Sequence, residues 1–275
     1  MEIIEIIKDA FLFPSKNIKM LVLYELLAIV AGVLSLGGTL AYVLGLINPE
    51  LYMWGGIAVI LSMLIGWLLS GYLISVIKSG IELDDEVPEF EWWENFNRGF
   101  DNFIVTIVYF IIPAVLTIIV GFLTNIPGKV IAVAQEIYTM SSDLLLGKST
   151  AFLFDAIYPS IASLVVSIAI TILIAIIIFV IFSFLQTMAQ ARLANTGSLC
   201  EALNVFEAGK DIKRIGIGKV IIVILLVIII SAVILMIFSA ITNYVPILSI
   251  LSIIITPYLV FFAQRAVGLL YSDIA

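Results

Sequence analysis

Residues 220–264 read VIIVILLVIIISAVILMIFSAITNYVPILSILSIIITPYLVFFAQ, a run of 45 positions without a charge between Lys219 and Arg265. One crossing of a bilayer takes about 20 apolar residues for about 30 Å of hydrocarbon. The run therefore holds two spans, and Asn243-Tyr244-Val245-Pro246 supplies turn chemistry between them. Working outward, the same signature recurs between Glu50 and Lys78, between Asp101 and Lys129, and over the longer gap from Asp155 to Arg192. With 63% hydrophobic and 12% charged residues and a mean hydropathy of +1.25, the excess apolar surface must face lipid. Helix is the one open-ended element that satisfies its own backbone there. The expected spans are 20–47, 51–77, 102–124, 160–191, 219–242 and 247–268, with Pro113 and Pro257 placed to kink the third and sixth.

The 13 basic residues fix an expected orientation. Lys8, Lys16, Lys19, Lys78, Arg98, Arg192, Lys210, Lys213, Arg214, Lys219 and Arg265 fall on one side of six spans; Lys129 and Lys148 fall on the other. Basic connections stay inside, which predicts a multi-pass protein of the cell membrane with both termini cytoplasmic. Met1-Glu2-Ile3-Ile4-Glu5 lacks the basic start and small-residue cleavage site of a signal peptide.

An internal triplication is expected within a single membrane domain, 1–275, as repeats 1–79, 80–194 and 195–275. EIIKDAFLFPSK (5–16), EWWENFNRGFD (91–101) and EALNVFEAGKD (201–211) each carry an acid, then Phe11, Phe96 or Phe206, then Pro14, Gly99 or Gly209 three residues later. The second, fourth and sixth spans end alike, with Lys78, Arg192 and Arg265 at one equivalent position. The fold class is thus all-α and polytopic: six transmembrane helices as three hairpin repeats, each preceded by an amphipathic interfacial helix. The stripes of those helices are Ile3, Ile7, Ala10 and Phe11; Phe90, Trp93, Phe96 and Phe100; and Leu199, Leu203 and Phe206. Glu94 and Arg98 have the spacing of a helical ion pair. Ser198 to Glu201 has that of a capping box. An outer insertion, 126–158, is read as a short helix behind Pro127-Gly128 and a second interfacial piece at Phe152, Phe154 and Tyr158.

Residues 71–113 carry a further pattern: Gly71-Tyr72, Lys78, the acids Asp84, Asp85 and Glu86, then Pro88-Glu89-Phe90, Trp93, Phe96, Gly99, Tyr109 and Pro113. It resembles an archaeal integral-membrane family catalogued as domain of unknown function 4013. The resemblance implies several spans and brings no activity and no site residue.

Chemistry is sparsely represented. Histidine is absent and cysteine occurs once, at Cys200, which removes the commonest general base, disulfides and cysteine-rich metal sites. A net charge of −7 opposes nucleic-acid binding. With no serine–histidine dyad and no intramembrane aspartate pair, the expectation is a protein that is not an enzyme and has no cofactor. Glu25 is the one acid well inside a span. It is expected either to pair with Lys78, Arg192 or Arg265 at the same level, the structural reading, or to serve transport. Phe90, Trp92, Trp93 and Phe96, among the acids of 82–94, are candidates for an interfacial or partner-docking strip, with lipid and a protein at 82–100 as partners. The sequence ranks a transporter- or channel-like protein for a small solute or ion first. The alternative is a non-catalytic membrane organiser or complex subunit acting through its cytoplasmic helices.

Overall fold

The structure, a computed structural model, describes residues 1–145 and 150–275. Among the described residues ten α-helices follow one another: α1 (Ile3–Leu12), α2 (Ile18–Leu44), α3 (Glu50–Ile81), α4 (Trp92–Leu123), α5 (Ile126–Leu145), α6 (Thr150–Thr196), α7 (Leu199–Ala202), α8 (Val205–Ile215), α9 (Ile217–Tyr244) and α10 (Ser252–Tyr271). Short 3-10 turns at Phe13–Lys16 and Pro246–Leu251 lead into α2 and α10. Six of these helices among the described residues are long and apolar enough to cross a membrane, namely α2, α3, α4, α6, α9 and α10, the last with its preceding turn. This is a multi-pass helical membrane protein, and its spans overlie those expected from sequence. The turn expected at Asn243–Pro246 falls at Val245, where the helical backbone opens to φ −129°.

Several helices run past the hydrocarbon. At 1.5 Å per residue the 47 residues of α6 would cover about 70 Å, more than twice the apolar thickness. The interfacial piece expected around Tyr158 is therefore not separate; it belongs to the same continuous helix. Lys148 lies outside the described residues, as do the side chains of Phe152 and Phe154. The segments before the odd-numbered spans also differ from expectation. The middle one has no helix of its own, because α4 starts at Trp92 and continues unbroken through Pro113. The third is split. Ser198 caps α7, but its own N–H bonds Thr196 Oγ1 at 3.1 Å rather than closing a box. Six residues later Asn204 caps α8 through Glu207 N–H, so Leu199, Leu203 and Phe206 share no helix, and Phe206 is left 85% exposed.

The chain forms two compact units, 1–106 with 185–275, and 107–184. In the first, α3 is the central helix, buried along its last turns and packed against α2 and α10. Glycine makes the close approaches. A Cβ on Gly80 would stand 2.9 Å from the Arg265 carbonyl of α10. On Gly71 or Gly99 it would overlap the Asn95 or Trp67 carbonyl of the facing helix. Small residues let apolar helices touch where lipid gives no hydrophobic drive to associate. In the second unit α5 packs on α6: Lys129 donates to Ser163 O (3.3 Å) and to Ser167 Oγ, and Ser160 donates to Glu136 at 2.6 Å.

Candidate functional site

Most charged side chains of the first unit gather at one end, where α3, α6 and α10 finish and α1, α4 and α9 begin. Arg265 of α10 lies at its centre, only 1% exposed. Its Nε donates to Asp9 Oδ1 at 3.0 Å, and its Nη1 to the Asp84 carbonyl at 2.5 Å and to Ser79 Oγ at 3.4 Å. The guanidinium stacks 4.4 Å from the Phe13 ring, and Asp85 stands 3.9 Å away. Lys16 then holds Asp85 at 2.9 Å. That hydrogen bond and the adjoining positive charge keep the Asp85 carboxyl below its ordinary range. The acidic run after α3 is thereby held at Asp84 and Asp85, by α10 and by the turn that follows α1.

Arg192 of α6 builds a second centre. It donates to Asp211 Oδ2 at 2.7 Å and meets Glu201 at 3.5 Å. Asp211 is 1% exposed and also accepts from Tyr271 (3.0 Å) and Arg214 (3.2 Å). The chain ends close a third: the Met1 ammonium and Lys219 both bind Asp273. Burial pushes the Asp273 carboxyl up, but the hydrogen bonds from Lys219 and the N-terminal ammonium outweigh it and hold it below its ordinary value.

Lys78 of α3 is different. Its one ion pair among the described residues, with Glu82, is 3.7 Å long, and it stands at the edge of a hollow of about 280 Å³. Ser75, Arg98, Glu89, Glu91 and Glu94 also line it. The Glu94–Arg98 pair expected from spacing is present. Arg98 donates to Ser75 Oγ at 2.8 Å, and Ser75 in turn to the fully buried Asn95 at 2.9 Å. A hydrogen bond shared with Glu94, together with their repulsion, pushes the Glu91 carboxyl up.

Glu25 corrects one expectation. It pairs with none of Lys78, Arg192 or Arg265, because each is claimed by an acid nearer to it: Glu82, Asp211 and Asp9. Partly buried on α2, Glu25 has no ion pair or hydrogen bond among the described residues. The aromatic strip divides. Phe90 stacks on Tyr72 at 4.3 Å, whose hydroxyl donates to Pro88 O at 2.9 Å. Phe96 and Phe100 gather on Trp67 of α3, at 5.8 and 5.1 Å. Trp92 and Trp93 remain outside, 56% and 76% exposed.

Sequence reasoning missed a row of polar side chains on α4. Asn95, Asn102 and Thr106 recur at helical spacing; Asn102 donates to Ser70 (2.6 Å) and accepts from Gln190 (3.1 Å), while Gln186 donates to Thr106 (3.2 Å). The seven- and four-residue spacing of these polar groups along one face of an apolar helix was the available signal.

The model of the family described as "Protein of unknown function (DUF4013)" matches residues 54–243. The chain belongs to this family. The match takes in the pattern of 71–113, whose members meet in space: Gly71 with Gly99 across α3 and α4, and Tyr72 with Pro88 and Phe90. No curated protein and no solved structure matches the chain.

Proposed function

We propose that this DUF4013 protein is a non-catalytic membrane organiser or complex subunit whose charged end is cytoplasmic and receives a basic segment of a protein partner. One observation carries this. The end's arginines at 192 and 265 are consumed by internal pairs, whereas Trp92 and Trp93 stay exposed beside Glu89, Glu91 and Glu94. Acid and aromatic faces together suit lysine and arginine, through ion pairs and cation–π contact. A photo-crosslinking side chain at position 93, in native membranes, should give a discrete protein adduct that is lost when Glu89, Glu91 and Glu94 become Gln. Lipid adducts alone would place the strip in the bilayer and end the proposal.

The three-repeat plan supports the same reading. Each even-numbered span ends in a cation that meets an acid of the segment after it, counting around the chain: Lys78 with Glu82, Arg192 with Asp211 and Arg265 with Asp9. The bias of basic residues supports a cytoplasmic face, and α1 with α7 and α8 would be its amphipathic rim. A reporter fused to the C-terminus tests the orientation: activity outside the cell reverses it.

The transport reading keeps one specific support, the unpartnered Glu25 within α2. Purified protein in vesicles should then carry ion or solute flux that Glu25→Gln abolishes, and unchanged flux removes the reading.

A further inference from the structure

A groove of about 610 Å³ runs between α1 and α9, away from the aromatic strip. Ile4, Ile7, Lys8, Phe11 and Leu12 form its α1 wall, five residues of one helical face, and Leu226 and Ile230 form the other. The wall is apolar except for Lys8. Most other cations of this end hold a carboxylate, as Lys16, Lys78, Lys210 and Lys219 do, but Lys8 is exposed and has no partner among the described residues. Its depth is set by its neighbour. Asp9 is held by Arg265 beside the Asp84 carbonyl, in the connection just beyond the end of α3. Lys8 thus stands where the polar connections begin, while Phe11, Leu226 and Ile230 continue along the membrane-spanning surface.

We propose that this groove seats one acyl chain of an anionic phospholipid, with the Lys8 ammonium on its phosphate. The charge complementarity and the continuity of the groove with the lipid-facing side of α9 select this occupant over a peptide. α9 offers Ile222, Leu225 and Ile229 to lipid on the same helix, so a chain can slide in without leaving hydrocarbon. The site does not depend on the partner face at Trp92 and Trp93.

Native mass spectrometry of the detergent-purified protein, titrated with phosphatidylglycerol and separately with phosphatidylcholine, tests it. One phosphatidylglycerol should bind about five-fold more tightly than phosphatidylcholine, the weight of one lysine near a headgroup. Lys8→Gln should level the two, Lys8→Arg should restore the preference, and Leu226→Trp, which fills the groove, should remove the discrete adduct of both. Ile230→Trp replaces Leu226→Trp if the latter lowers the melting temperature. Equal binding by the unmodified protein, a preference that survives Lys8→Gln, or adducts undisturbed by both tryptophan variants would overturn the site. None of these results bears on crosslinking at position 93.

Discussion

Arg265 and Lys78 both stand in the closing turns of a span, the sixth and the second, and the molecule uses them in opposite ways. Arg265 is sealed among Asp9, Ser79, Phe13 and the Asp84 carbonyl; Lys78 leans into open polar space with one long contact to Glu82. The difference follows from what each span packs against. Gly80 and Gly268 bring the ends of α3 and α10 together, so Arg265 is trapped between them and α1. A trapped cation needs every donor satisfied, since an unpaired buried charge is costly. On the open side of α3, water solvates Lys78 and the site is left free to engage something else. A charge at a span end is therefore a fastener or a handle according to whether a neighbouring helix closes over it.

The largest test of this contrast is Arg265→Gln. It leaves Asp9 and the Asp84 carbonyl facing a shorter, neutral side chain, and should cost about 3–5 kcal/mol, the usual penalty for breaking a buried pair. The melting temperature in detergent should fall sharply, and protease should begin to cut within 82–90. A variant that melts like the parent would show that Arg265 fastens nothing. Somewhat smaller is Gly99→Ala, whose added methyl overlaps the Trp67 carbonyl and should cost about 1–3 kcal/mol by overpacking. Gly37→Ala, with nothing within 4 Å of the new methyl, is the matched control and should be neutral or slightly stabilising.

The same contrast separates what the sequence could disclose from what it could not. Spans are a property of local composition, and the charge-free run 220–264 reveals two of them without reference to any other part of the chain. Helix ends are less local. α6 outruns its apolar stretch because helix, once formed, extends into water where nothing stops it, and α4 begins at Trp92 for the same reason. Pairing is wholly non-local. Arg265 and Asp9 are 256 residues apart, and with 20 acids available, equal depth made Glu25 the apparent partner when the fold delivered Asp9, Asp84 and Asp85 instead. Glu94 with Arg98 was legible because one turn of helix joins them. The close approach of Gly71 to Gly99 was visible only as two glycines in a family pattern.

Acid should loosen the fasteners before the spans. Asp273 is held below the ordinary carboxylate value of 3.8 by Lys219 and the N-terminal ammonium. A carboxyl with a depressed folded pKa adds stability that is complete above its unfolded value and is lost as pH falls through the folded one. The closure of the chain ends should thus persist at pH 5 and disappear below the ordinary value, at a cost of about 1 kcal/mol for a pair at this exposure. Melting curves from pH 6 to pH 3 would register it as a step absent from Asp273→Asn. If both proteins share the step, another carboxyl is responsible.

Lys78→Gln should have the smallest effect on stability and is for that reason the sharpest test of the handle. The Lys78–Glu82 pair is 3.7 Å long with side chains 39% and 57% exposed, a class of contact that contributes about 0–1 kcal/mol and is screened by salt. The melting temperature should move by no more than a degree or two, and by less in half-molar salt. Losing a cation leaves the hollow more negative, with Glu82, Glu89, Glu91 and Glu94 opposed by Arg98 alone among its lining residues. A basic partner should then bind more tightly, so the adduct formed from position 93 should increase while stability stays still. A large loss of stability would instead place Lys78 with Arg265 among the fasteners, and the distinction between the two span ends would fail.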